Sequence, residues 1–229
     1  MTTLGIIGSG NIGSTVARLA SAAGYDVVIS NSRGPASLVD LVAELGDRAR
    51  AGTVVETVKA GHLVLVAVPL HAYRSVPAEL LTGKVVLDAD NYYPERDGQI
   101  PPLDDESTTT SELLQTHLGA AHVVKVFNNI AAAHLAALAR PAGAPDRAAL
   151  PIAGDDEAAR ATVAELLDRI GYDHVDAGPL AQGWRFQRDT AAYVTPYFGP
   201  GGFEDPHPAT VAEISAHLAA AVRYRDLAG

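Results

Sequence analysis

The stretch Leu4-Gly5-Ile6-Ile7-Gly8-Ser9-Gly10-Asn11-Ile12-Gly13 decides the fold. Its apolar run, Leu4 to Ile7, has the length and continuity of a strand buried on both faces. It ends in a G-x-G-x-x-G pattern at Gly8, Gly10 and Gly13. The first glycine allows a tight turn, the second lets backbone come close to a diphosphate, and the third lets helix pack on strand. Ile12, Val16, Leu19, Ala20 and Ala23 then recur at helical spacing, and Gly24 stands where a helix ends. Val27-Val28-Ile29 supplies a second strand and completes a βαβ unit with a right-handed crossover. Such a unit aims free N–H groups and the positive end of the helix dipole at the turn, which suits a diphosphate.

The alternation continues outward. The spacing predicts a helix over 36–45, a short strand over 53–55, a strong buried strand over 63–68 closed by Pro69, and a strand over 84–89. A polar loop, 95–105, leads to a helix over 110–118, a strand over 123–127 and a helix over 131–139. Residues 140–148 carry two prolines and a glycine and read as a loop. A strand over 150–153, an N-cap at Asp155, a helix over 158–170 and a last strand ending at Val175 follow. Strands alternating with helices specify an α/β fold, a Rossmann-type, doubly wound and mostly parallel sheet. After Gly178-Pro179-Leu180 two helical stretches, 181–194 and 209–221, flank a glycine- and proline-rich segment, 198–208. The expected organisation is therefore a nucleotide-binding domain over 1–180 and a small helical C-terminal domain over 181–229.

Which dinucleotide fits is decided at the end of the second strand, where an acidic residue would bind an unphosphorylated ribose. The sequence there is Ser30-Asn31-Ser32-Arg33, with no carboxylate and with a guanidinium able to hold a 2′-phosphate by charge-assisted bonds. NADP(H) is the expected cofactor, with Gly8, Ser9, Gly10, Asn11, Ile12, Gly13, Asn31, Ser32 and Arg33 at the phosphates. Composition removes competing classes. The 229 residues include no cysteine, which excludes disulfides, thiolate metal sites and cysteine nucleophiles. With 27 acidic against 17 basic residues the net charge is −10, which argues against a nucleic-acid partner. The eight histidines show no H-E-x-x-H spacing, so no metal site is expected. No apolar run reaches membrane-spanning length and no signal peptide precedes the first strand, so a cytoplasmic protein without a membrane partner is expected.

Taken in order, the glycine pattern, Ser32-Arg33, Val66-Ala67-Val68-Pro69, Lys125-Val126-Phe127-Asn128-Asn129-Ile130 and Asp176-Ala177-Gly178-Pro179-Leu180 resemble the NADP oxidoreductases that use the deazaflavin coenzyme F420. The chain is also similar to the reductase domain of membrane metalloreductases, which passes hydride from NADPH to a flavin. The resemblance implies a Rossmann domain with a small C-terminal domain, a homodimer, and F420 or FMN/FAD as the partner of NADP(H). It also implies that Ser9, Asn11 and Ile12 lie along the diphosphate, that Val68, Pro69 and Leu70 stand on the nicotinamide side, and that Asn128 and Ile130 border the face where hydride passes. Two departures stand out: Gly34-Pro35 follows the Ser-Arg pair where the family often has a further basic residue, and residues 199–229 look unlike theirs.

Hydride exchange between two ring systems needs a close approach in a dry site more than acid or base. Reduction of a carbonyl or imine would need a proton donor as well, and His71, after the long central strand, is the candidate. A non-catalytic NADP(H)-sensing module is the reading of a different class. Several residues carry two readings each. Lys125 is either a perturbed buried lysine or one that snorkels from a strand end. Asp88 and Asp90 are ligands of a hydroxyl or turn formers, and Tyr92 and Tyr93 cover a ring or pack a loop. Trp184, Arg185, Phe186 and Arg188 either grip an aromatic, anionic hydride acceptor or anchor the C-terminal segment.

Overall fold

The computed structural model describes residues 2–227. Eight strands form one sheet: β1 (Thr3–Ile7), β2 (Asp26–Ser30), β3 (Ala49–Ala51), β4 (Leu63–Val66), β5 (Val85–Asp88), β6 (His122–Lys125), β7 (Ala149–Gly154) and β8 (Asp173–Asp176). Their order is β3-β2-β1-β4-β5-β6-β7-β8. The first six run parallel, in the 3-2-1-4-5-6 order of a dinucleotide-binding sheet. The chain winds outward from β1 to β3 and crosses to the other side at β4. The loops leaving β1 and β4 therefore diverge and open a crevice at the carboxyl ends of the strands.

Alternate strand residues face opposite layers. Leu63 and Leu65 of β4 join a core under α1 (Asn11–Ala22), whereas Val64 and Val66 join a second core on the other face. The remaining helices are α2 (Val39–Leu45), α3 (Val54–Ala60), the single turns α4 (Pro94–Asp97) and α5 (Pro101–Asp104), α6 (Thr110–Leu118), α7 (Ala132–Ala137) and α8 (Glu157–Ile170). A hairpin of β9 (Phe198–Gly199) and β10 (Gly202–Pro206) then precedes α9 (Val211–Ala219) and the short α10 (Tyr224–Leu227). No helix among the described residues is long and apolar enough to cross a membrane.

The structure corrects the sequence reading in several places. Residues 53–55 are not a strand: Thr53 accepts the Glu56 N–H and the Glu56 carboxylate accepts the Thr53 N–H, so this capping box starts α3. The third strand lies just before it, at Ala49–Ala51. Asp156, not Asp155, caps α8 by accepting the Ala159 N–H, while Asp155 accepts the N–H of Leu180. β7 pairs antiparallel with β6, because alternation of strand and helix fixes that a strand exists and not which way it runs. Residues 181–194 form no α-helix. Only a 3-10 stretch, Leu180–Phe186, is present, and the following carbonyls of Phe186 and Ala192 are taken by side chains of another segment. The proline-rich stretch after it holds the two-stranded hairpin.

The C-terminal segment shares the main core. Phe186, Ala192, Tyr197, Ala209, Ile214 and Leu218 belong to the same buried cluster as Leu4 and Ile29. Two ties hold it to β7: the Tyr197 hydroxyl donates to the Ala149 carbonyl at 2.9 Å, and the Ala149 N–H donates to the Ala209 carbonyl at 2.8 Å. Fully buried Asn129 donates to the Ala192 carbonyl at 3.0 Å and to the Tyr197 oxygen at 3.2 Å. Replacing Asn129 by alanine strips both buried acceptors of this donor. Urea unfolding should show Asn129→Ala destabilised by about 1–3 kcal/mol, and an unchanged midpoint would contradict the clamp.

Candidate functional site

The crevice at the β1/β4 crossover holds a cavity of about 430 Å³. Three turns meet there: Gly8, Ser9 and Gly10 after β1; Asn31, Ser32 and Arg33 after β2; and Ala67, Val68 and Pro69 after β4. Val54, Ala72 and Ser75 complete the wall with Ile7.

The glycines of the first turn do separate jobs. A Cβ on Gly8 would sit 2.1 Å from the Ala67 carbonyl oxygen, and its φ of +107° disfavours any side chain. A Cβ on Gly13 would sit 2.0 Å from the Gly8 carbonyl oxygen. These two contacts draw α1 down onto β1 and the β4 turn. Gly10, in contrast, has open space where a Cβ would go. It is the N-cap of α1 and supplies no side-chain acceptor, so the first turn of that helix is uncapped toward the crevice. Bare backbone, free N–H groups and the helix dipole together make an anion cradle.

The second turn is braced by Asn31. Its Nδ2 donates to Ser9 Oγ at 2.9 Å and to Ser37 Oγ at 3.0 Å, and its Oδ1 accepts the Arg33 N–H at 2.9 Å. Asn31 thus spends its polar atoms within the protein and locks the first turn to the second. Ser32 and Arg33 are exposed beside it. Most other arginines of the chain face carboxylates, as Arg18 faces Glu44 and Arg160 faces Asp176. Among the described residues the Arg33 guanidinium has no hydrogen-bond or ion-pair partner. None of the residues that form the cavity wall is acidic, and Arg33 is its one charged group.

Other expected site residues lie elsewhere. Asn11 is exposed just beyond the wall, Ile12 packs on the main core, and Gly13 is buried beneath the turn. Leu70 is fully buried in the second core and Ile130 is 3% exposed in the first, so neither reaches the cavity surface. Asn128 is buried and donates to the Phe186 carbonyl at 2.8 Å and to Asn91 Oδ1 at 3.3 Å; the Asn91 amide returns a bond to the Asn128 carbonyl at 2.7 Å. The Phe127–Ile130 motif thus holds the C-terminal segment against the ends of β5 and β6. Its entry is strained: buried Phe127 has φ +66°, and Val194, whose N–H donates to the Asn129 carbonyl, has φ +49°.

His71 is exposed, and its Nδ1 lies 3.1 Å from Asp97 Oδ1. Burial opposes ionisation of Asp97, but Arg96, the Tyr93 N–H and His71 hold its carboxyl down at about 2. The Trp184 cluster divides. Phe186 is core and Arg185 bonds Gln182 and the Leu218 carbonyl, whereas Trp184 and Arg188 line a small cavity with Tyr92, Thr110, Arg223 and Tyr224. Arg188 also pairs with Glu95 and Asp189 and packs over the Tyr93 ring, 4.6 Å from its centroid. The Tyr93 and Tyr193 hydroxyls meet at 2.7 Å, and burial followed by that bond pushes the Tyr193 phenol upward. Sequence reasoning missed Val54, Ala72, Ser75 and the bracing Ser37. Nothing in their residue types marks them, since folding alone brings them to the crevice.

The family model for coenzyme F420-dependent NADP oxidoreductases matches residues 3–92. A hypothetical protein from Sinorhizobium meliloti is 32% identical; the alignment covers 84% of this chain and 93% of that one, with a TM-score of 0.73. A protein from Arthrobacter sp. with a proposed F420-dependent NADP-reductase activity is 25% identical, with coverage of 80% and 87% and a TM-score of 0.67. A reductive aminase from Aspergillus terreus, solved with NADPH, shares the fold at 20% identity and a TM-score of 0.57, over 79% of this chain and 56% of its own. No curated protein matches the chain.

The glycine geometry separates folding from binding. Gly13→Ala and Gly8→Ala should lower the melting temperature markedly, because backbone oxygens must move. Gly10→Ala should leave it within about 2 °C and weaken dinucleotide binding at least about tenfold, since its methyl group enters only the crevice. Thermal melts with a nucleotide titration check this, and tight binding by Gly10→Ala would remove the diphosphate from this turn.

Proposed function

Because this chain belongs to the family of F420-dependent NADP oxidoreductases, and is an NADP-dependent oxidoreductase, we propose that it exchanges hydride between NADP(H) and the deazaflavin F420. The observation that carries the cofactor half is the unpartnered Arg33 guanidinium in a wall without a carboxylate. In a protein of net charge −10, a lone cation beside an uncapped helix N-terminus suits a ligand with a diphosphate and a further phosphate. Ser32 and Arg33 hold the 2′-phosphate, and Ser9, Gly10 and the first N–H groups of α1, at Asn11 and Ile12, hold the diphosphate. Asn31 keeps those two subsites at a fixed separation through Ser9 and Ser37.

The bound nicotinamide supplies the hydride. The chain's own contribution is placement and exclusion of water. Val68 and Pro69, which line the cavity beyond the β1 turn, would wall the nicotinamide half of the bound dinucleotide. Beyond the ends of β5 and β6, Asn91 and Asn128 fix the C-terminal segment that closes the far side. We assign residues 1–180 to cofactor binding and 181–229 to the acceptor side, with a homodimer in the cytoplasm as the working form. In this reading Ile130, Leu70 and Asn128 act from behind the surface, shaping the hydride face without touching it. His71, tied to Asp97, is the proton donor that direct reduction of a carbonyl or imine would require.

The reading is tested by following nicotinamide absorbance with purified protein, NADPH and, in turn, F420, FMN and a carbonyl or imine panel. Oxidation with F420 alone is expected. Turnover only with FMN would move the acceptor to a flavin, turnover only with carbonyls or imines would make His71 central, and binding without turnover would leave a sensing module. For the cofactor, Arg33→Ala should raise the Kd for NADPH about 10- to 100-fold, the worth of one charge-assisted contact, and leave NADH within about twofold. Equal loss for both nucleotides would remove Arg33 from the 2′-phosphate.

A further inference from the structure

Behind the crevice wall lies a buried polar cluster that the cofactor reading does not use. Asp88, Asp90, Thr110, Ser111 and Lys125 are all at most 4% exposed, at the ends of β5 and β6 and the start of α6. Lys125 Nζ donates to the Thr110 hydroxyl at 2.9 Å, the Asp90 carbonyl at 3.1 Å and Ser111 Oγ at 3.3 Å. Each of the three ammonium protons thereby has an oxygen partner; burial pulls the Lys125 pKa down, and the charge of Asp88 opposes that pull. Ser111 relays toward Asp88, donating to Oδ2 at 2.5 Å, and Asp88 Oδ1 accepts the Asp90 N–H at 2.9 Å. Asp88 is the carboxylate that balances Lys125.

Asp90 stands apart. Its N–H and carbonyl are pinned by Asp88 and Lys125, and its side chain reaches forward: Oδ1 accepts the N–H of Val68 at 3.2 Å. Val68 lines the cavity. The strand ladder runs out just before it, where the Ala67 N–H donates to Ile7 and the Ala89 N–H to Val66. Asp90 supplies the next rung from a side chain and fixes the turn into Pro69 that forms this wall.

We infer that Asp90 is a positioning residue for NADP(H), holding the Val68–Pro69 wall of the crevice through the Val68 amide while Lys125 and Asp88 lock it from behind. The inference rests on the crevice being the NADP(H) site. Burial, and then the charge of Asp88, raise the Asp90 pKa well above that of an ordinary aspartate; Lys125, the Val68 N–H and Arg96 oppose the shift without cancelling it. Its Oδ2 is buried without a partner, a placement far costlier for a carboxylate than for a neutral acid. The neutral form braces the wall without setting a negative charge behind a site for a polyanion. The groups facing it are Asp88 on β5, Lys125 on β6, Arg96 on α4 and the Val68 amide on the β4 turn.

The test is NADPH calorimetry from mildly acidic to alkaline pH on the wild-type protein, Asp90→Asn and Asp90→Ala, with amide hydrogen exchange at Val68. Asparagine keeps a neutral acceptor for the Val68 N–H. It should protect that amide and bind NADPH within about twofold of wild type near neutrality, whereas alanine should expose the amide and weaken binding about tenfold. Wild-type affinity should fall as pH rises and Asp90 loses its proton, and Asp90→Asn should flatten that fall. Asp90→Ala binding as well as wild type despite a free Val68 amide, Asp90→Asn failing as badly as alanine, or an alkaline fall that persists in Asp90→Asn would each overturn the inference. If Asp90→Ala does not fold, the asparagine variant and its pH profile still decide. A wild-type protein that binds no NADPH at any pH would instead strike the cofactor reading itself.

Discussion

Two carbonyl oxygens set the geometry on which everything else depends. The Gly8 oxygen stands where Gly13 has no Cβ, and the Ala67 oxygen stands where Gly8 has none. Through these contacts β1, α1 and the turn after β4 close on one another with only backbone between them. The start of α1 is thereby brought to the crevice bare, with its N–H groups uncapped. A side chain at either position would separate helix from strand and move the cradle away from the turn that carries Arg33. The same turn is indexed by Asn31, whose amide spans Ser9 and Ser37. Charge recognition is thus organised by uncharged groups, and the one cation in the wall is left free for a ligand.

A second division of labour operates beyond the ends of β4, β5 and β6. Strand ends there are finished by side chains in place of further ladder bonds: Asp90 for the Val68 amide, Asn91 and Asn128 for each other, Asn129 for Ala192 and Tyr197. These bonds tie the irregular stretch 186–197 to the sheet, and the backbone is strained where they are made, at Phe127 and Val194. Strain of this kind persists only when surrounding contacts over-determine it. The seam between the parallel sheet and the C-terminal segment is therefore held by buried side-chain bonds on both sides.

The sheet, its crossover and the glycine turn after β1 were legible in the sequence because each depends on local constraints: strand-length apolar runs, helical spacing, and glycines where no Cβ fits. The capping box Thr53-Val54-Val55-Glu56 was equally local, yet two β-branched residues inside it suggest a strand. Asp155 and Asp156 are adjacent acids, and only the position of Leu180 assigns one to the helix and the other to a loop. Leu70 and Ile130 show the deeper limit. An apolar residue at a strand end can face a ring or the core, and composition is the same in both cases. Lys125 inside an apolar strand pointed to something unusual, but its three oxygen partners come from the turn after β5 and from α6 and are visible only once the chain is folded.

The central claim is that the crevice at the β1/β4 crossover recognises a nucleotide by its 2′-phosphate. Its most direct test needs neither an acceptor nor a variant: calorimetric titration of the protein with adenosine 2′,5′-bisphosphate against adenosine 5′-monophosphate, repeated at rising salt. The account predicts that the bisphosphate binds at least about tenfold more tightly and that the advantage shrinks as salt screens the guanidinium. Equal affinity for the two nucleotides at low salt would contradict it.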